Sequence, residues 1–321
     1  MNFRSFNDLN NVIVANLTRI PRDIDLIVGI PRSGLLVANL LAMHLNLPMT
    51  DVDGLLQGRI LQSGPRLPAQ PSLDGIRKVL VVDDSVGHGI QKRKVKALLQ
   101  PVAHRYQFVF CAAYALPEGC KEVDLYFEIV PLPRMFEWNV MHHQEYLPHC
   151  CIDIDGVLCR DPTAQENDDA ENYKEFLVRA EPLLLPTAPV GWLVTCRLEK
   201  YRQLTREWLA RYRVQYKELV MMNYPDKESR VRDGAYASFK AEVYRSTGAM
   251  LFIESESMQS REIARLSGKP VLCIDTREMA YPSLTAAAPV MAQTLPRVIY
   301  RSLRTRAGRL VQRLISKCTS T

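Results

Sequence analysis

The sequence predicts an α/β protein made of two three-layer domains with mainly parallel sheets, followed by a basic C-terminal amphipathic helix. Two observations lead to this prediction. Short apolar segments alternate with helical stretches along most of the chain, and in each half one apolar segment ends in a pair of acids, VVDDS and CIDID. Strands that alternate with helices are typical of parallel sheets covered by helices. A chain of 321 residues is long enough for two such domains.

The first predicted domain covers residues 1–142. The segment DLIVGI at 25–30 predicts a buried strand, PRSG a turn, and LLVANLLAMHLNLP a helix. A stretch rich in Gly, Pro and Ser at 57–74 predicts a mobile loop. The segment KVLVVDDS then predicts a second buried strand, with a helix near 91–99.

The second predicted domain covers residues 148–292, after a linker near 140–149. The segment CIDIDGVL predicts a strand that ends in acids, and GWLVT, MLFIE and PVLCID predict three more, with helical stretches between them. Both halves therefore follow a Rossmann-like pattern of strand and helix.

Residues 296–321 form a basic tail. Apolar residues at steps of three and four, with arginines elsewhere around the wheel, predict an amphipathic helix. Such a helix either lies on an anionic membrane surface or docks on the protein with its arginines in solvent, and the pattern leaves both open. The apolar positions are Ile299, Leu303, Ala307, Leu310 and Leu314.

Composition narrows the class of protein. The net charge is +6, but the tail carries seven of the 41 basic residues and no acid, so the rest is nearly neutral and no nucleic-acid partner is expected. Eight scattered cysteines without a C-x-x-C pair favour a reducing cytoplasm. The His- and Cys-containing segment at 142–151 lacks zinc-type spacing, so no zinc is expected. We expect a chain that is neither secreted nor integral to a membrane, and that contacts the inner membrane face at most through its tail.

The segment VLVVDDSVGHGIQ carries the first chemical motif. Two acids follow an apolar strand, and a turn that contains Gly then begins a helix. Ligands of doubly wound sheets bind at the carboxyl ends of the strands. A helix start offers free N–H groups to an anion, and carboxylates accept hydrogen bonds from sugar hydroxyls. The pattern therefore favours a phosphorylated sugar as the ligand.

This segment resembles the PRPP-binding motif of type I phosphoribosyltransferases. The resemblance implies that Asp83 and Asp84 hold the ribose hydroxyls and that the next residues cradle the 5-phosphate. The family usually has Ser or Thr hydroxyls at this phosphate, where this chain has glycines and a histidine, so backbone amides and the remaining polar side chains would replace them. The implied phosphate-binding residues are Ser85, Gly87, His88, Gly89 and Gln91.

The upstream segment VGIPRSG is similar to the pyrophosphate loop of the same family. The resemblance implies that Gly29, Arg32, Ser33 and Gly34 present backbone N–H groups to the diphosphate. The loop at 57–74 would close over the reacting centre and exclude water, and Arg59 within it would stabilise the departing pyrophosphate.

The segment CIDIDGVLC carries the second motif. Asp153 and Asp155 lie two residues apart, so an extended strand end presents them on one face. One carboxylate of such a pair can attack phosphorus while the other protonates the leaving oxygen. The motif resembles the signature of haloacid dehalogenase phosphatases, which implies that Asp153 is the nucleophile and Asp155 the general acid and base.

This resemblance implies three further parts, and each occurs in order along the chain. Thr195 would hold the phosphoryl group and Lys240 would neutralise its charge. Glu254 or Glu256 would complete a Mg2+ site with Asp153 and the backbone carbonyl of Asp155, and the sequence leaves open which of the two does so.

Together the motifs predict a bifunctional enzyme. It would transfer 5-phosphoribosyl from PRPP to an acceptor with release of pyrophosphate, and then remove the 5-phosphate from the phosphorylated ribosyl intermediate. The architecture resembles dual-domain ribofuranosyltransferases of bacterial surface-polysaccharide assembly, which implies a glycan acceptor. Two alternatives stay open: a nucleobase phosphoribosyltransferase with nucleotidase activity, and a PRPP-sensing regulator.

Overall fold

A computed structural model describes residues 1–61 and 73–282, so the basic tail and residues 62–72 lie outside the described chain. The described residues divide into two compact units, an N-terminal unit of residues 2–134 and a C-terminal unit of residues 135–282. Each is an α/β unit with a mainly parallel sheet, as the sequence predicts. In the described ranges, every helix falls short of the length and apolarity that a bilayer crossing requires.

The N-terminal unit contains a five-stranded sheet in the order β3-β2-β4-β5-β6, in which every pair of neighbours is parallel. Its first strand, β1, lies outside this sheet. The strands are β1 (Asn2–Arg4), β2 (Leu26–Gly29), β3 (Met49–Asp51), β4 (Lys78–Val86), β5 (Gln107–Ala115) and β6 (Leu125–Ile129). The helices are α1 (Phe6–Asn16), α2 (Gly34–Leu45), α3 (Val52–Leu56) and α4 (Ile90–Leu98).

Apolar residues alternate between the two faces of this sheet. One face, with Leu26, Val28 and Val81, packs into a cluster with residues of α3 and α4. Helix α2 packs on β2 and β4, and α1 packs on α2, β5 and β6. Because parallel strands are joined by crossing helices, both faces are covered and the strands are predominantly apolar.

The C-terminal unit begins with β7, a short strand of Arg134–Phe136 at the division between the units. Its six-stranded sheet has the order β10-β9-β8-β11-β12-β13, and only the β12–β13 pair is antiparallel. The strands are β8 (Cys150–Ile152), β9 (Val190–Leu198), β10 (Tyr216–Met222), β11 (Leu251–Glu254), β12 (Val271–Cys273) and β13 (Glu278–Ala280). The helices are α5 (Glu171–Arg179), α6 (Arg202–Arg211), α7 (Lys227–Asp233), α8 (Tyr236–Ser246) and α9 (Ser257–Ser267).

Helices α8 and α9 bury one face of this sheet, where Ala241 and Ile263 pack against Phe252 and Val194. The residues that alternate with these along the strands, such as Ile152 and Ile253, are also fully buried. The sheet is therefore an interior layer, and its polar residues concentrate where the strands end.

The division between the units lies at 134/135, earlier than the predicted end of the first domain at 142. Residues 140–149 were expected to be a linker, but they hydrogen-bond within the C-terminal unit. The Thr187 amide donates to the carbonyl of Met141 (3.0 Å), and His142 Nδ1 lies 2.9 Å from Thr187 Oγ1. Val140, Met141 and Leu147 are buried, so the predicted linker packs into the C-terminal unit.

Candidate active sites

The acidic pair of the N-terminal unit lies within β4, which extends to Val86, whereas the sequence prediction had the strand end at these acids. The strand continues because Asp83 pairs with Ala112 and Ser85 with Tyr114 of β5. Successive residues of a strand point to opposite faces. Asp83 lines a cavity of about 170 Å³, and Asp84 does not. The Asp83 side chain therefore faces this cavity, and the Asp84 side chain points to the opposite face of β4.

Burial, and after it the charge of Asp84, raises the pKa of Asp83 to about 7. The Asp84 amide donates to Asp83 Oδ1 (2.9 Å), which fixes the orientation of that carboxyl group. A carboxyl group that titrates near neutral pH can both accept and donate a hydrogen bond. Asp83 is thus suited to contact with hydroxyl groups of a ligand.

The cavity beside Asp83 is lined by the turn that begins α4. Gly89 is the N-cap of α4 with a left-handed φ of +69°, so it has no side chain to cap the backbone N–H groups of the first helical turn. Such groups favour an anion. The predicted phosphate-binding residues all lie here: Ser85, Gly87, His88, Gly89 and Gln91. The Ser85 hydroxyl also accepts from Nη2 of Arg134 (3.4 Å), a residue that no motif indicated.

The predicted pyrophosphate loop connects β2 to α2. Gly34 begins α2 so close to β4 that a Cβ there would lie 2.6 Å from the carbonyl oxygen of Val82 and 3.2 Å from Asp83 Oδ1. Gly29 is similarly close to the backbone of Leu35. Arg32 is exposed and follows a cis peptide bond after Pro31. The Ser33 side chain makes no capping hydrogen bond to the helix. The loop therefore approaches Asp83 through its backbone.

Arg59 lies in the turn after α3, before residues 62–72. Its guanidinium is half exposed and forms an ion pair with Asp51 at the end of β3 (3.6 Å). It does not line the Asp83 cavity. The contact of Arg59 with the departing pyrophosphate stays a prediction, because most of the predicted loop at 57–74 lies outside the described residues.

Asp153 of the C-terminal unit follows β8 directly and shares one lysine with Glu254. Lys240 Nζ donates to Asp153 Oδ2 (2.5 Å), to Glu254 Oε2 (2.7 Å) and to Gln259 Oε1 (3.0 Å). All three N–H groups of the ammonium are therefore used. Lys240, Asp153 and Glu254 are each at most 5% exposed.

The charges at this cluster depend on one another. Burial alone would lower the pKa of Lys240, but Asp153 and Glu254 raise it, so the lysine stays cationic. Burial raises the pKa of Asp153 and the charge of Lys240 opposes that shift. Because buried charges persist only when they are paired and hydrogen-bonded, the three side chains form one electrostatic unit.

Asp155 points to a different cation. Arg197 Nε lies 3.1 Å from both carboxylate oxygens of Asp155, and Nη2 lies 2.6 Å from Oδ1. Arg197 is fully buried and also contacts Cys159 Sγ (3.2 Å). The expected pair of carboxylates is therefore present at the strand end, but each carboxylate has its own basic partner.

The structure distinguishes the two glutamates that the sequence left open. Glu254 ends β11 and lies on Lys240, whereas Glu256 caps α9 by accepting hydrogen bonds from the amides of Met258 and Gln259. Thr195 is fully buried, and its hydroxyl accepts from the Arg197 amide (3.2 Å). Glu254 and Thr195 therefore lie at the site, and the carboxylate of Glu256 is used by the helix.

Two further acids lie near this site. Burial raises the pKa of Asp161, and the charges of Asp155, Glu254 and Asp275 raise it further. The oxygen donors of this edge are the kind that Mg2+ prefers. In the part of the chain that the structure describes, however, no group of three or more His, Cys, Asp or Glu residues has a metal-binding arrangement.

Sequence reasoning missed several of these residues. Arg197 follows Thr195 by two positions on β9, so strand periodicity could have indicated that it shares a face with Thr195. Gln259, Asp161 and Asp275 carry no comparable signal, because their position depends on how the strands and helices pack. The histidines and cysteines at 142–151 make local contacts: His143 stacks on Tyr146 (4.2 Å), and Cys150 Sγ donates to the Tyr146 carbonyl (3.1 Å).

Similarity to known proteins is limited to solved structures that match part of this chain. No family model matches the sequence, and no curated protein matches it. Among solved structures, the xanthine-guanine-hypoxanthine phosphoribosyltransferase of Helicobacter pylori is similar at 18% identity, covering 43% of this chain and 95% of its own, with a TM-score of 0.33. The purine phosphoribosyltransferase of Pyrococcus horikoshii is similar at 18% identity, covering 43% and 92%, with a TM-score of 0.33. The orotate phosphoribosyltransferase of Aeropyrum pernix is similar at 19% identity, covering 38% and 69%, with a TM-score of 0.27.

Proposed function

We propose that this protein is a bifunctional enzyme that transfers 5-phosphoribosyl from PRPP to a glycan acceptor and then removes the 5-phosphate. The observation that carries the proposal is the cluster of Asp153, Lys240 and Glu254, with Asp155 beside it at the end of the same sheet. A buried carboxylate paired with a buried lysine suits attack on a phosphoryl group. In the N-terminal unit, Asp83, Asp84 and the turn that begins α4 suit the binding of PRPP. The ribosyl 5-phosphate that its reaction produces would be the substrate of the Asp153 site.

In the first reaction, an acceptor hydroxyl attacks C1 of PRPP, the bond from C1 to the pyrophosphate oxygen breaks, and the hydroxyl proton goes to solvent or to a nearby base. Asp83 and Asp84 would hold the ribose hydroxyls. The 5-phosphate would bind the turn that begins α4, where backbone N–H groups favour an anion. The backbone of the loop at 29–34 would hold the diphosphate next to Asp83, which Gly34 permits because it has no Cβ.

In the second reaction, Asp153 attacks phosphorus and the bond from phosphorus to the ribose 5-oxygen breaks. Asp155 gives a proton to that oxygen, and water then hydrolyses the aspartyl phosphate. Mg2+ would fit the oxygen donors of Asp153, Glu254 and the Asp155 carbonyl, where it would neutralise phosphoryl charge. Thr195 would orient the phosphoryl group, and Lys240 would hold Asp153 and balance the charge that accumulates on it.

The order of the two reactions follows from their chemistry. PRPP leaves a ribosyl group that still carries a 5-phosphate, and a phosphomonoester is what the Asp153 site would hydrolyse. A nucleobase phosphoribosyltransferase with nucleotidase activity is the second candidate, since the N-terminal site favours no acceptor. The cluster around Asp153 argues against a pure PRPP sensor, because a sensor needs no phosphoryl-transfer site.

An acceptor screen with labelled PRPP tests the proposal. We expect pyrophosphate release with a glycan acceptor and a ribosylated product without phosphate. Asp153→Asn should leave transfer intact and accumulate the phosphorylated product, whereas Asp84→Asn should reduce transfer and spare hydrolysis of ribose 5-phosphate. Pyrophosphate release only with nucleobases would favour the second candidate, and dephosphorylated product at the wild-type rate from Asp153→Asn would contradict the assigned nucleophile.

The basic tail is a separate part of the proposal. A lipid-linked glycan would keep the acceptor at the membrane, and the seven basic residues after Pro296 would hold the enzyme there. Truncation before Pro296 should abolish binding to anionic vesicles and leave hydrolysis of small phosphates unchanged. Vesicle binding should weaken with salt, because the attraction decays over about 8 Å at physiological ionic strength. Equal sedimentation of both chains with vesicles would show that the tail has no such role.

A further inference from the structure

Arg230 of α7 lies at the end of β9, next to the Asp153 site. Its Nη1 donates to the backbone carbonyl of Cys196 (2.6 Å), the residue between Thr195 and Arg197. Its guanidinium also lies over the ring of Tyr236, 5.6 Å from the centroid. Two contacts on different elements therefore fix the side chain at the point where β9 delivers Thr195 to the site.

The Nε atom of Arg230 is buried and has no hydrogen-bond partner among the described residues. Within the same ranges, Arg230 also forms no ion pair with a carboxylate. A buried donor without a partner is unfavourable, and buried donors in proteins almost always have one. The free N–H group therefore points to a partner outside the described residues, such as a bound ligand.

The charge of Arg230 acts on both halves of the site. The thiol of Cys196 lies in electrostatic range of Lys240, Asp153, Glu254 and Arg230. The hydroxyl of Tyr173 lies in range of Asp155, Arg197 and Arg230. Cys196 and Tyr173 therefore each feel the charge of Arg230, and Arg230 forms no ion pair with Asp153 or Asp155 within the described ranges.

Every side-chain nitrogen of the other two basic residues at the site has a hydrogen-bond partner. Lys240 gives its three N–H groups to Asp153, Glu254 and Gln259. Arg197 gives Nε and Nη2 to Asp155, and its Nη1 lies 3.5 Å from the Thr205 hydroxyl. A phosphomonoester that enters this site carries up to two negative charges. Among the described residues, Arg230 is the one of these three cations that has a buried nitrogen without any hydrogen-bond partner.

We propose that Arg230 is a phosphate-binding residue of the Asp153 site and donates its Nε–H to a non-bridging oxygen of the phosphomonoester. The ligand class is a phosphate monoester or free inorganic phosphate, because a guanidinium matches two oxygens of a phosphoryl group. This inference rests on the proposed phosphatase activity. It adds a specificity determinant outside the four-part motif of Asp153, Thr195, Lys240 and Glu254.

The test uses the full chain with Mg2+ and compares wild type with Arg230→Met and Arg230→Gln. The control is Arg232→Met, which removes an exposed arginine of the same helix whose side chain hydrogen-bonds to Ser229. The readouts are KM and kcat for ribose 5-phosphate, the inhibition constant of inorganic phosphate, and its Kd by calorimetry. Far-UV circular dichroism confirms that each variant is folded.

We expect both Arg230 variants to raise KM, the inhibition constant and Kd by about 10- to 100-fold, because a hydrogen bond to a charged group is lost. Their kcat should change little, since the contact is made equally in the ground and transition states. The control should match wild type. Wild-type Kd for phosphate in either folded variant overturns the inference, as does a raised KM with an unchanged inhibition constant. Absence of both hydrolysis and phosphate binding in wild type instead contradicts the proposed phosphatase, and the inference with it.

Discussion

Arg197 binds Asp155 with two of its nitrogens, Nε at 3.1 Å from each carboxylate oxygen and Nη2 at 2.6 Å from Oδ1. The arginine is fully buried, while the carboxylate side chain is 19% exposed. The pair therefore holds Asp155 in one orientation at the mouth of the site. The same interaction makes the stability of the C-terminal unit depend on a residue of the candidate site.

Arg197→Met should lower the free energy of unfolding by about 3 kcal/mol or more, because removing one partner of a buried ion pair leaves the other uncompensated. Urea denaturation measures the change. Arg265→Met is the control, since its pair with Glu262 is exposed and should contribute less than about 1 kcal/mol. Adding Asp155→Asn to Arg197→Met should recover part of the loss. Equal stability of the Arg197 and Arg265 variants would show that the buried pair contributes no net stability.

Substitutions of Glu254 and Glu256 should have different effects on activity and stability. Glu254→Gln removes the negative charge that pairs with Lys240, and it should reduce hydrolysis of ribose 5-phosphate by at least about tenfold. Glu256→Gln should leave turnover near wild type and cost about 1 kcal/mol of stability, because it weakens the cap of α9. Steady-state kinetics and thermal unfolding of both variants make the comparison. The reverse pattern would move the functional carboxylate to Glu256.

Gly34→Ala should disrupt the N-terminal site. The added Cβ would meet the backbone oxygen of Val82 at 2.6 Å, so α2 must shift away from β4, at a cost of about 1–3 kcal/mol. We expect weaker PRPP binding by calorimetry together with a lower melting temperature. Gly75→Ala is the matched control, because a Cβ there meets nothing within 4 Å. PRPP affinity in Gly34→Ala equal to that in the control would contradict the close approach.

Asp83 should make stability fall as pH rises from about 4 to 7. Its pKa is raised from 3.8 to about 7 by burial and by the charge of Asp84. Between these values the folded state binds more protons than the unfolded state, so the free energy of unfolding decreases with pH. Asp83→Asn removes this dependence. Urea titrations across the window should therefore show the variant gaining on wild type as pH increases, and a constant difference would contradict the raised pKa.

The sequence identified the places where polar residues end apolar strands, and these places hold the candidate sites. Alternation of strands with helices predicted the α/β class, and the structure confirms it with the strands Leu26–Gly29, Lys78–Val86, Val190–Leu198 and Leu251–Glu254. Such patterns are readable because local periodicity and strand ends are properties of a few adjacent residues. The end of β4 was misjudged, because pairing with β5 carried the strand past two charged residues.

What only the tertiary structure decided is which side chains meet. The sequence does not distinguish Glu254 from Glu256. In the structure Glu256 caps the start of α9, and Glu254 accepts a hydrogen bond from Lys240. Arg197 and Arg230 come from segments 33 positions apart, and the fold directs one to a carboxylate and leaves the other with an open buried donor. The local sequence pattern determines which face of a strand or helix a side chain lies on. Its partner depends on the packing between distant segments, because a buried charge is stable only where the fold places hydrogen-bonding groups beside it.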